Sequence, residues 1–521
     1  MRTTLALLVS TALALAHPSQ SAAQEDGTPL NERTKTEPRS AGRQDARPAV
    51  APDLVGLAKR SVALAQAGDD LPEARRLIGN LRADARFEDQ PQDFRFSVIG
   101  VAGYIEMRDG EPEAARTLFR QALQIQDTDP DLWYWLSWVE AALARHDDAA
   151  LSLAALFRRA PEQIDNLPDE HIWRLVNEPE VSAAARTELL QAIFDSGWKR
   201  EALGGAGRFH YELALARAIE GDVTAQRRIV PGVDDPTDIV RMRSDKRFDA
   251  VIDRDDPALA PRAAAERRVA RLQAQVRRAP ERLDIVAELQ SALLVAGRFQ
   301  EMITLADDVQ SAIDAAPDGK PPYEDMDPLP WVQNLHAKAL EALGRFDESL
   351  ALLEAASRLE EKGVPNVSQA LNLAQMYASL GRADDALAAA DRAGNDMSGY
   401  GRMVKASAEQ RAHLLKGELD AAAKALDYLR ENRSISEAIF LSALVDAGDL
   451  DAAAAVLVAQ LASPEHRAQA LFEMQTFNSF PTLPGEVAAT ANWKALIARP
   501  DVQAAAAKVG RIAKVDLYRW E

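Results

Sequence analysis

A glycine recurs at nearly regular intervals in the second half of the chain, and it constrains the fold more than any other feature. The glycines are Gly297, Gly344, Gly381, Gly417 and Gly448, spaced 47, 37, 36 and 31 residues apart. Each is followed by a short polar or aromatic step and then by an alanine-rich helical pattern, as in GRADDAL. Such a period predicts a stacked array of helical hairpins. The insert at 316–330, APDGKPPYEDMDPLP, accounts for the longest spacing.

Helical periodicity also occurs earlier and divides the chain into two predicted blocks. The first block covers residues 53–165, where glycine or polar turns separate amphipathic helices. At 166–260 the period is lost, which predicts an irregular helical connector. The second block, 261–475, contains the five glycines. The weaker pattern at 476–521 predicts a C-terminal helical cap that covers the last apolar face of the array.

The repeated unit that begins at Asp131 carries residues typical of one repeat family. Its first helix reads DLWYWLSWVEAALAR. The matching residues are Trp133, Leu136, Ala149 and Pro161 in this unit, and Gly103, Ala115, Phe119 and Ala122 in the preceding one. The chain thereby resembles the tetratricopeptide repeat family, whose unit is a helix-turn-helix of about 34 residues. The resemblance extends over about two-thirds of the chain. It implies an all-α fold, an α/α superhelix (solenoid) of tetratricopeptide-like helical hairpins in two blocks.

The N-terminal residues have the pattern of an export signal. Residues 1–23 combine an early charge at Arg2, an apolar run over 5–16 and small residues that offer cleavage after Ala16 or Ala23. This pattern predicts a signal peptide rather than a buried helix. Residues 24–52 are rich in proline and charge and lack apolar periodicity, so we expect a disordered tether. No later stretch is apolar for long enough to span a membrane. We therefore expect an exported protein, periplasmic or in the cell envelope if the source is a Gram-negative bacterium.

The composition excludes several classes of function. The formal net charge is −19 and the sequence pI is about 5.0, so the chain has no general electrostatic reason to bind nucleic acid. It has no cysteine, which excludes disulfides, thiolate metal sites and cysteine nucleophiles. We expect no nucleic-acid partner.

One helix departs from this acidic balance. The segment 262–278 contains a single acid, Glu266. Its basic residues are Arg262, Arg267, Arg268, Arg271, Arg277 and Arg278. The helix is either a docking stripe for an acidic partner or a solvated face that balances the acidic remainder of the protein.

Catalytic and metal-binding motifs are missing from the sequence. There is no Walker A, HExxH, GxSxG or CxxC pattern. Ser196 and Lys199 match SxxK, but the companion SDN and KTG motifs are missing and the intervening Gly-Trp pair predicts a turn. Residues 204–207 are glycine-rich but follow no strand, which favours a loop over a phosphate cradle. The histidines, at 17, 146, 171, 210, 336, 413 and 466, show no ligand spacing. We expect no catalytic residue, no cofactor and no metal.

The glycine register predicts which residues line a partner-binding groove. In the resembled family the first helix of each hairpin lines the concave surface. The residues placed there are Tyr134 and Trp138 in the first block and Trp331, Asn334, Lys338, Gln375 and Arg411 in the second. Aromatic, amide and cationic groups suit a peptide with an acidic or carboxylate group. The Lys and Asn residues resemble parts of the carboxylate clamp of some family members, but the full clamp set is not present. The alternative is that Trp133, Trp138 and Trp331 pack hairpins together.

These patterns predict an exported, non-catalytic scaffold that binds a protein or peptide partner in its groove. Two alternatives remain open: an α/α-superhelical enzyme that acts on an envelope polymer through carboxylate pairs, and a self-associating structural spacer. A deep pocket with convergent carboxylates favours the enzyme, whereas an open groove favours the scaffold. We expect the binding site beside the insert that precedes Trp331, in the array between Gly297 and Gly417.

Overall fold

The computed structural model describes residues 52–67, 70–161, 164, 170–199, 205–317, 320–361 and 364–519. The protein divides into two compact units, Met1–Trp198 (unit 1) and Lys199–Glu521 (unit 2). The boundary falls inside the segment 166–260, where the sequence predicts an irregular connector. The predicted signal peptide, 1–23, and all but the last residue of the predicted tether, 24–52, lie outside the described residues.

Eight helices make up the described part of unit 1. They are α1 (Pro52–Ala67), α2 (Leu71–Ala83), α3 (Gln92–Arg108), α4 (Pro112–Ile125), α5 (Pro130–Ala142), α6 (His146–Arg159), α7 (Glu170–Asn177) and α8 (Ala183–Ser196). Consecutive helices pack as hairpins, α1 with α2, α3 with α4 and α5 with α6, and α6 also packs on α8. Side chains cap several N-termini: Asp70, Asp129 and Ser182 each accept a backbone N–H of the first turn. These caps satisfy donors that the helix itself leaves unpaired.

A glycine permits the close approach of α3 and α4. A Cβ on Gly103 would lie 2.6 Å from Cδ1 of Phe119, whose side chain is fully buried. No other residue fits there without displacing the ring, because real Cβ contacts are longer. Gly103 and Phe119 are two of the residues that carry the family resemblance, and here they have a packing reason.

Unit 2 begins irregularly and continues as a hairpin array. Its described helices are α9 (Gly207–Glu220), α10 (Val223–Ile229), α11 (Pro236–Ser244), α12 (Pro261–Arg278), α13 (Leu283–Val295), α14 (Phe299–Asp314), α15 (Leu329–Ala342), α16 (Phe346–Ala356), α17 (Val367–Ser379), α18 (Ala383–Arg392), α19 (Gly399–Lys416), α20 (Leu419–Glu431), α21 (Glu437–Ala447), α22 (Leu450–Ala462), α23 (Arg467–Glu473), α24 (Val487–Ile497) and α25 (Pro500–Val509). Five hairpins run from α13 to α22. Their first helices pack on one another, α13 on α15, α17 on α19 and α19 on α21.

All five recurring glycines lie in the turn between the two helices of a hairpin, and all have left-handed backbone. Their φ angles lie between 70° and 79°. In each turn the residue after the glycine donates its N–H to a carbonyl five residues back, as from Arg345 to Leu340 at 2.8 Å and from Arg382 to Tyr377 at 2.8 Å. This is the Schellman arrangement, which favours glycine because a side chain is strained at positive φ. The recurrence of glycine in the sequence therefore results from one turn geometry that occurs five times.

The C-terminal segment returns to the first helices of unit 2. Strand β3 (Thr476–Asn478) pairs in parallel with β4 (Lys514–Tyr518), and a short hairpin of β1 (Glu360–Glu361) and β2 (Val364–Pro365) precedes α17. Asp245 forms an isolated bridge with Gly510, and Arg511 binds both carboxylate oxygens of Asp249 at 2.8 and 2.6 Å. Helices α24 and α25 pack on the last hairpin. The sequence predicts a helical cap at 476–521 but not strands β3 and β4.

The structure confirms the predicted all-α fold of tetratricopeptide-like hairpins. Helices form nearly all of the regular structure in the described ranges, and the four strands have two to five residues. Among these residues, none of the helices combines the length and apolarity that crossing a membrane requires.

Candidate binding surfaces

The sequence predicts Tyr134 and Trp138 as groove residues, and both lie on α5 in one aromatic cluster. Tyr134 is buried, with 3% of its surface exposed, and its ring makes edge contacts with Trp135 and Trp138 at centroid distances of 5.7 and 6.3 Å. Trp138 is half-buried and stacks on His171 of α7, with centroids 4.3 Å apart and an interplanar angle of 14°. Trp138 is the most exposed ring of the cluster.

A series of hydrogen bonds fixes the tautomer of His171. Ser137 Oγ donates its one hydrogen to the carbonyl of Ala149 at 2.8 Å, so it accepts from Nε2–H of His171, also at 2.8 Å. Nδ1 of His171 is then free to accept from Nη2 of Arg174 at 3.0 Å. Burial, with a smaller effect from Arg174, lowers the pKa of His171 to about 3. The imidazole is therefore neutral at ordinary pH.

Three of the predicted groove residues lie on α15. Trp331 is half-buried in the first turn of the helix, and Asn334 is buried, with 2% exposed. Lys338 is half-buried, and its Nζ lies 3.1 Å from Oε2 of Glu341 on the same helix. The ammonium group thus already has a carboxylate partner.

The remaining two predicted residues lie on the first helices of the next hairpins. Gln375 is exposed on α17. Arg411 of α19 binds Asp446 of α21 through Nε and Nη2, at 3.2 and 3.1 Å from one carboxylate oxygen. Both cations that the sequence assigns to a ligand carboxylate, Lys338 and Arg411, are therefore paired with acids of the protein itself.

A cluster of side-chain amides joins α15 to α17. Nδ2 of Asn372 donates to Oδ1 of Asn334 and to Oε1 of Gln369, both at 3.3 Å. Asn366 caps α17 by accepting the backbone N–H of Gln369 at 3.0 Å. We refer to Asn334, Asn366, Gln369 and Asn372 as the amide cluster.

Two amino groups of the amide cluster lack hydrogen-bond partners among the described residues. They are Nε2 of Gln369, whose side chain is fully buried, and Nδ2 of Asn366, which is 3% exposed. Buried polar groups in proteins are nearly always paired, and an unpaired one costs about 1–3 kcal/mol. Asn372 is half-buried and Gln375, one turn further, is exposed, so polar surface continues from the cluster to solvent.

Three members of the amide cluster, Asn366, Gln369 and Asn372, are not among the residues predicted from the sequence. The sequence does contain a pattern that could have indicated them. In NVSQALN an amide residue occurs at every third position, and residues at this spacing lie on one side of a helix. Their partner Asn334 lies 38 residues before Asn372, and no local pattern links the two.

Half of the arginines on the arginine-rich helix α12 pair with acids of unit 2. Arg268 binds Asp235, and its Nη2 lies 3.0 Å from Glu288. The other paired arginines are Arg271 with Asp234 and Arg262 with Glu266. Three of the six arginines are thus paired with acids of unit 2, whereas Arg267, Arg277 and Arg278 are exposed. The choice between a docking stripe and a solvated face stays open for these three.

The glycine-rich loop receives a carboxylate of the protein itself. A Cβ on Gly207, the first residue of α9, would lie 1.9 Å from Oδ1 of Asp234. The carboxylate thus lies at a helix N-terminus, where backbone N–H groups favour an anion, and Arg271 balances its charge. The described residues of this segment, 205–207, therefore have a structural role.

The motifs weighed for catalysis also have structural roles. Oγ of Ser196 donates to the carbonyl of Ile193 at 2.7 Å and accepts the N–H of Trp198, while Gly197 turns the backbone at a φ of 68°. Among the described residues, no group of three His, Asp or Glu side chains is arranged to hold a metal ion.

Fold and surfaces together define a tetratricopeptide-like helical-repeat protein. No family model and no curated protein matches the sequence.

Among solved structures, the protein is similar to a tetratricopeptide repeat protein from Parabacteroides merdae, at 10% identity over 59% of this chain and 93% of that one, with a TM-score of 0.30. It is also similar to a Rap protein complexed with Competence and Sporulation Factor, at 11% identity over 88% and 99% of the two proteins, with a TM-score of 0.30. A third is the Cut9-Hcn1 structure, at 12% identity over 87% and 88%, with a TM-score of 0.32. Since these scores are low, the fold assignment depends on the hairpins of this protein.

Proposed function

We propose that the protein is a non-catalytic scaffold that binds an extended peptide segment of a protein partner at the amide cluster of unit 2. The observation that carries the proposal is the pair of unpartnered amino groups on Gln369 and Asn366. A peptide main chain offers a carbonyl acceptor at every residue, which is the group that these donors lack. Because both groups are buried, a peptide reaches them only when neighbouring side chains of the cluster move aside. Binding would then remove the cost of leaving them unpaired.

The pairing of the cations changes the kind of peptide that fits. Lys338 and Arg411 hold Glu341 and Asp446, so a ligand carboxylate would have to displace an existing partner. Neutral amides face no such competition and recognise main-chain groups in any sequence. We therefore expect recognition of an extended main chain, with side-chain preferences set by neighbours such as Trp331 and Gln375.

The proposal includes export of the protein, which the pattern of residues 1–23 supports. Cell fractionation with N-terminal sequencing of the purified protein tests this part. A mature N-terminus at residue 17 or 24 in an extracytoplasmic fraction is expected, whereas an intact N-terminus in the cytoplasm would contradict export.

A pair of matched substitutions tests binding. Gln369→Met keeps the shape of the side chain but removes the amide, and Asn372 still donates to Asn334. Gln410→Met is the control, because Gln410 is equally buried on α19 and its Nε2 donates to the carbonyl of Ala443 at 2.9 Å. Gln369→Met removes the unpaired donor Nε2 but also the acceptor Oε1, to which Asn372 donates at 3.3 Å. Because these two effects oppose each other, we expect the free energy of unfolding to change by no more than about 1 kcal/mol.

Binding is measured with peptides selected from a random display library on the full-length protein. We expect their affinity for Gln369→Met to be about tenfold lower or more, because the bound peptide loses a hydrogen bond and one of its carbonyl groups is left desolvated without a donor. The affinity for Gln410→Met should be unchanged. The proposal fails if the library yields no specific peptide, or if the selected peptides bind Gln369→Met as tightly as the unsubstituted protein.

A further inference from the structure

Four of the six described arginines that lie over an aromatic ring also bind a carboxylate. The six arginines are Arg108, Arg159, Arg174, Arg208, Arg241 and Arg382. The carboxylate contacts are Arg159 to Asp127, Arg208 and Arg241 to Asp238, and Arg382 to Asp385, at 2.6–2.8 Å. Arg108 instead donates to the phenol oxygen of Tyr104 at 2.9 Å. Arg174 is therefore the case to explain.

Arg174 is held in place but has no acidic partner among the described residues. Its guanidinium carbon lies 4.3 Å from the centroid of the Trp138 ring, and Nη2 donates to Nδ1 of His171. The residue is exposed at the surface of unit 1. A guanidinium has five N–H donors, so several remain available in a fixed orientation.

The contact with His171 orients the guanidinium without neutralising it. An aspartate in the place of His171 would neutralise the guanidinium, as Asp127 neutralises Arg159 above Trp133. The neutral imidazole accepts one hydrogen bond and leaves the positive charge intact. His171 is itself held by Ser137 and by the stacked ring of Trp138.

A further donor lies in the same cluster. The indole Nε1 of Trp138 is buried and has no hydrogen-bond partner within the described part of the sequence. In contrast, Nε1 of Trp133 donates to the carbonyl of Asp127 at 2.7 Å. The pair of Arg159 with Trp133 thus differs from the pair of Arg174 with Trp138 at both groups. In the first pair, the guanidinium and the indole N–H bind acceptors of the protein, whereas in the second the guanidinium has no acid and the indole N–H no acceptor among the described residues.

We infer that the exposed guanidinium of Arg174 forms a carboxylate-binding site in unit 1, with His171 and the Trp138 ring as the groups that position it. The ligand is a carboxylate presented by a protein partner, either an Asp or Glu side chain or the terminal carboxylate of a polypeptide. The planar guanidinium suits a carboxylate through two parallel hydrogen bonds. The site lies in a different unit from the amide cluster and does not depend on the function proposed above.

Tryptophan indole signals in NMR spectra of the full-length protein test the site directly. The Trp138 signal is assigned by its loss in Trp138→Phe. Three probes at constant ionic strength separate the possible sources: acetyl-Glu-amide carries a side-chain carboxylate, acetyl-Gln a terminal carboxylate, and acetyl-Gln-amide neither. We expect a saturable shift of the Trp138 signal with at least one of the first two and none with the third. No saturable shift with either carboxylate, or an equal shift with the neutral amide, would overturn the inference.

Arginine variants show whether the response depends on the proposed residue. Arg174→Gln should weaken association about tenfold or more, because it removes a charge-assisted contact, while Arg174→Lys keeps the charge and should weaken it less. Arg159→Gln is the matched control and should leave the affinity unchanged. Unchanged binding in Arg174→Gln, with the other indole signals in place, contradicts the site.

Discussion

The ring of Tyr518 lies against Gly297, so that a Cβ on the glycine would be 2.6 Å from Cε2 of the tyrosine. Tyr518 belongs to the last strand, β4, and its ring also contacts Phe299 at a centroid distance of 4.8 Å. The first glycine of the repeat therefore has two reasons to be glycine: its φ of 70° and the space that the C-terminal strand needs.

Gly297→Ala should destabilise unit 2 more than Gly344→Ala. Gly344 has a similar φ of 75°, but nothing lies within 4 Å of its Cβ position, so its substitution costs only backbone strain, about 1–2 kcal/mol. At Gly297 the displaced ring adds about 1–3 kcal/mol. Chemical denaturation measures both values. In a Tyr518→Ala background the two penalties should become equal, and equal penalties in the unsubstituted protein would contradict this packing role.

Ala144→Gly should stabilise unit 1. Ala144 has a φ of 55° in the turn between α5 and α6, where Arg145 donates to the carbonyl of Glu140 at 2.8 Å. This is the geometry that the glycines adopt in unit 2, here with a strained side chain. Relief of that strain, less the entropy of the more flexible glycine in the unfolded state, should raise the free energy of unfolding by about 0.5–1 kcal/mol. A thermal-unfolding midpoint that does not rise would show that the turn tolerates alanine without cost.

Glu140→Gln should destabilise unit 1 strongly. Glu140 is fully buried, and Oε1 accepts from Arg116 at 3.0 Å and from Arg120 at 2.6 Å, while Oε2 accepts from Ser152 at 2.6 Å. Removing the charge leaves two guanidinium groups against a neutral amide, at a cost of about 3 kcal/mol. The control is Glu113→Gln, because Glu113 is exposed and pairs with Arg145 at the surface, where a pair contributes about 0–1 kcal/mol. Urea denaturation of both variants measures the difference, and similar losses would mean that the buried network does not stabilise the unit.

Local patterns predict the hairpins well. The turn at each recurring glycine is set by neighbouring residues, and so is the packing of Gly103 on Phe119. The amide cluster depends on Asn334 and Asn372, which are 38 residues apart, and the state of Arg411 depends on Asp446, 35 residues away. The parallel pairing of β3 with β4 is likewise non-local. These contacts depend on how the hairpins stack, which residue types and spacing do not specify.

His171 should make the stability of unit 1 depend on pH in a defined direction. The pKa of its imidazole is about 3 in the folded state, against an ordinary value of 6.5, so between these values the unfolded state binds a proton that the folded state excludes. Stability is therefore full above about pH 7 and falls as the pH drops below 6.5, with a slope approaching about 1.4 kcal/mol per pH unit. His171→Gln removes this slope whatever its effect at neutral pH. Urea denaturation of both proteins from pH 7.5 to 4.5 should thus show the stability of the unsubstituted protein minus that of the variant falling steadily below pH 6.5. A difference that stays constant with pH would mean that His171 accepts a proton in the folded state.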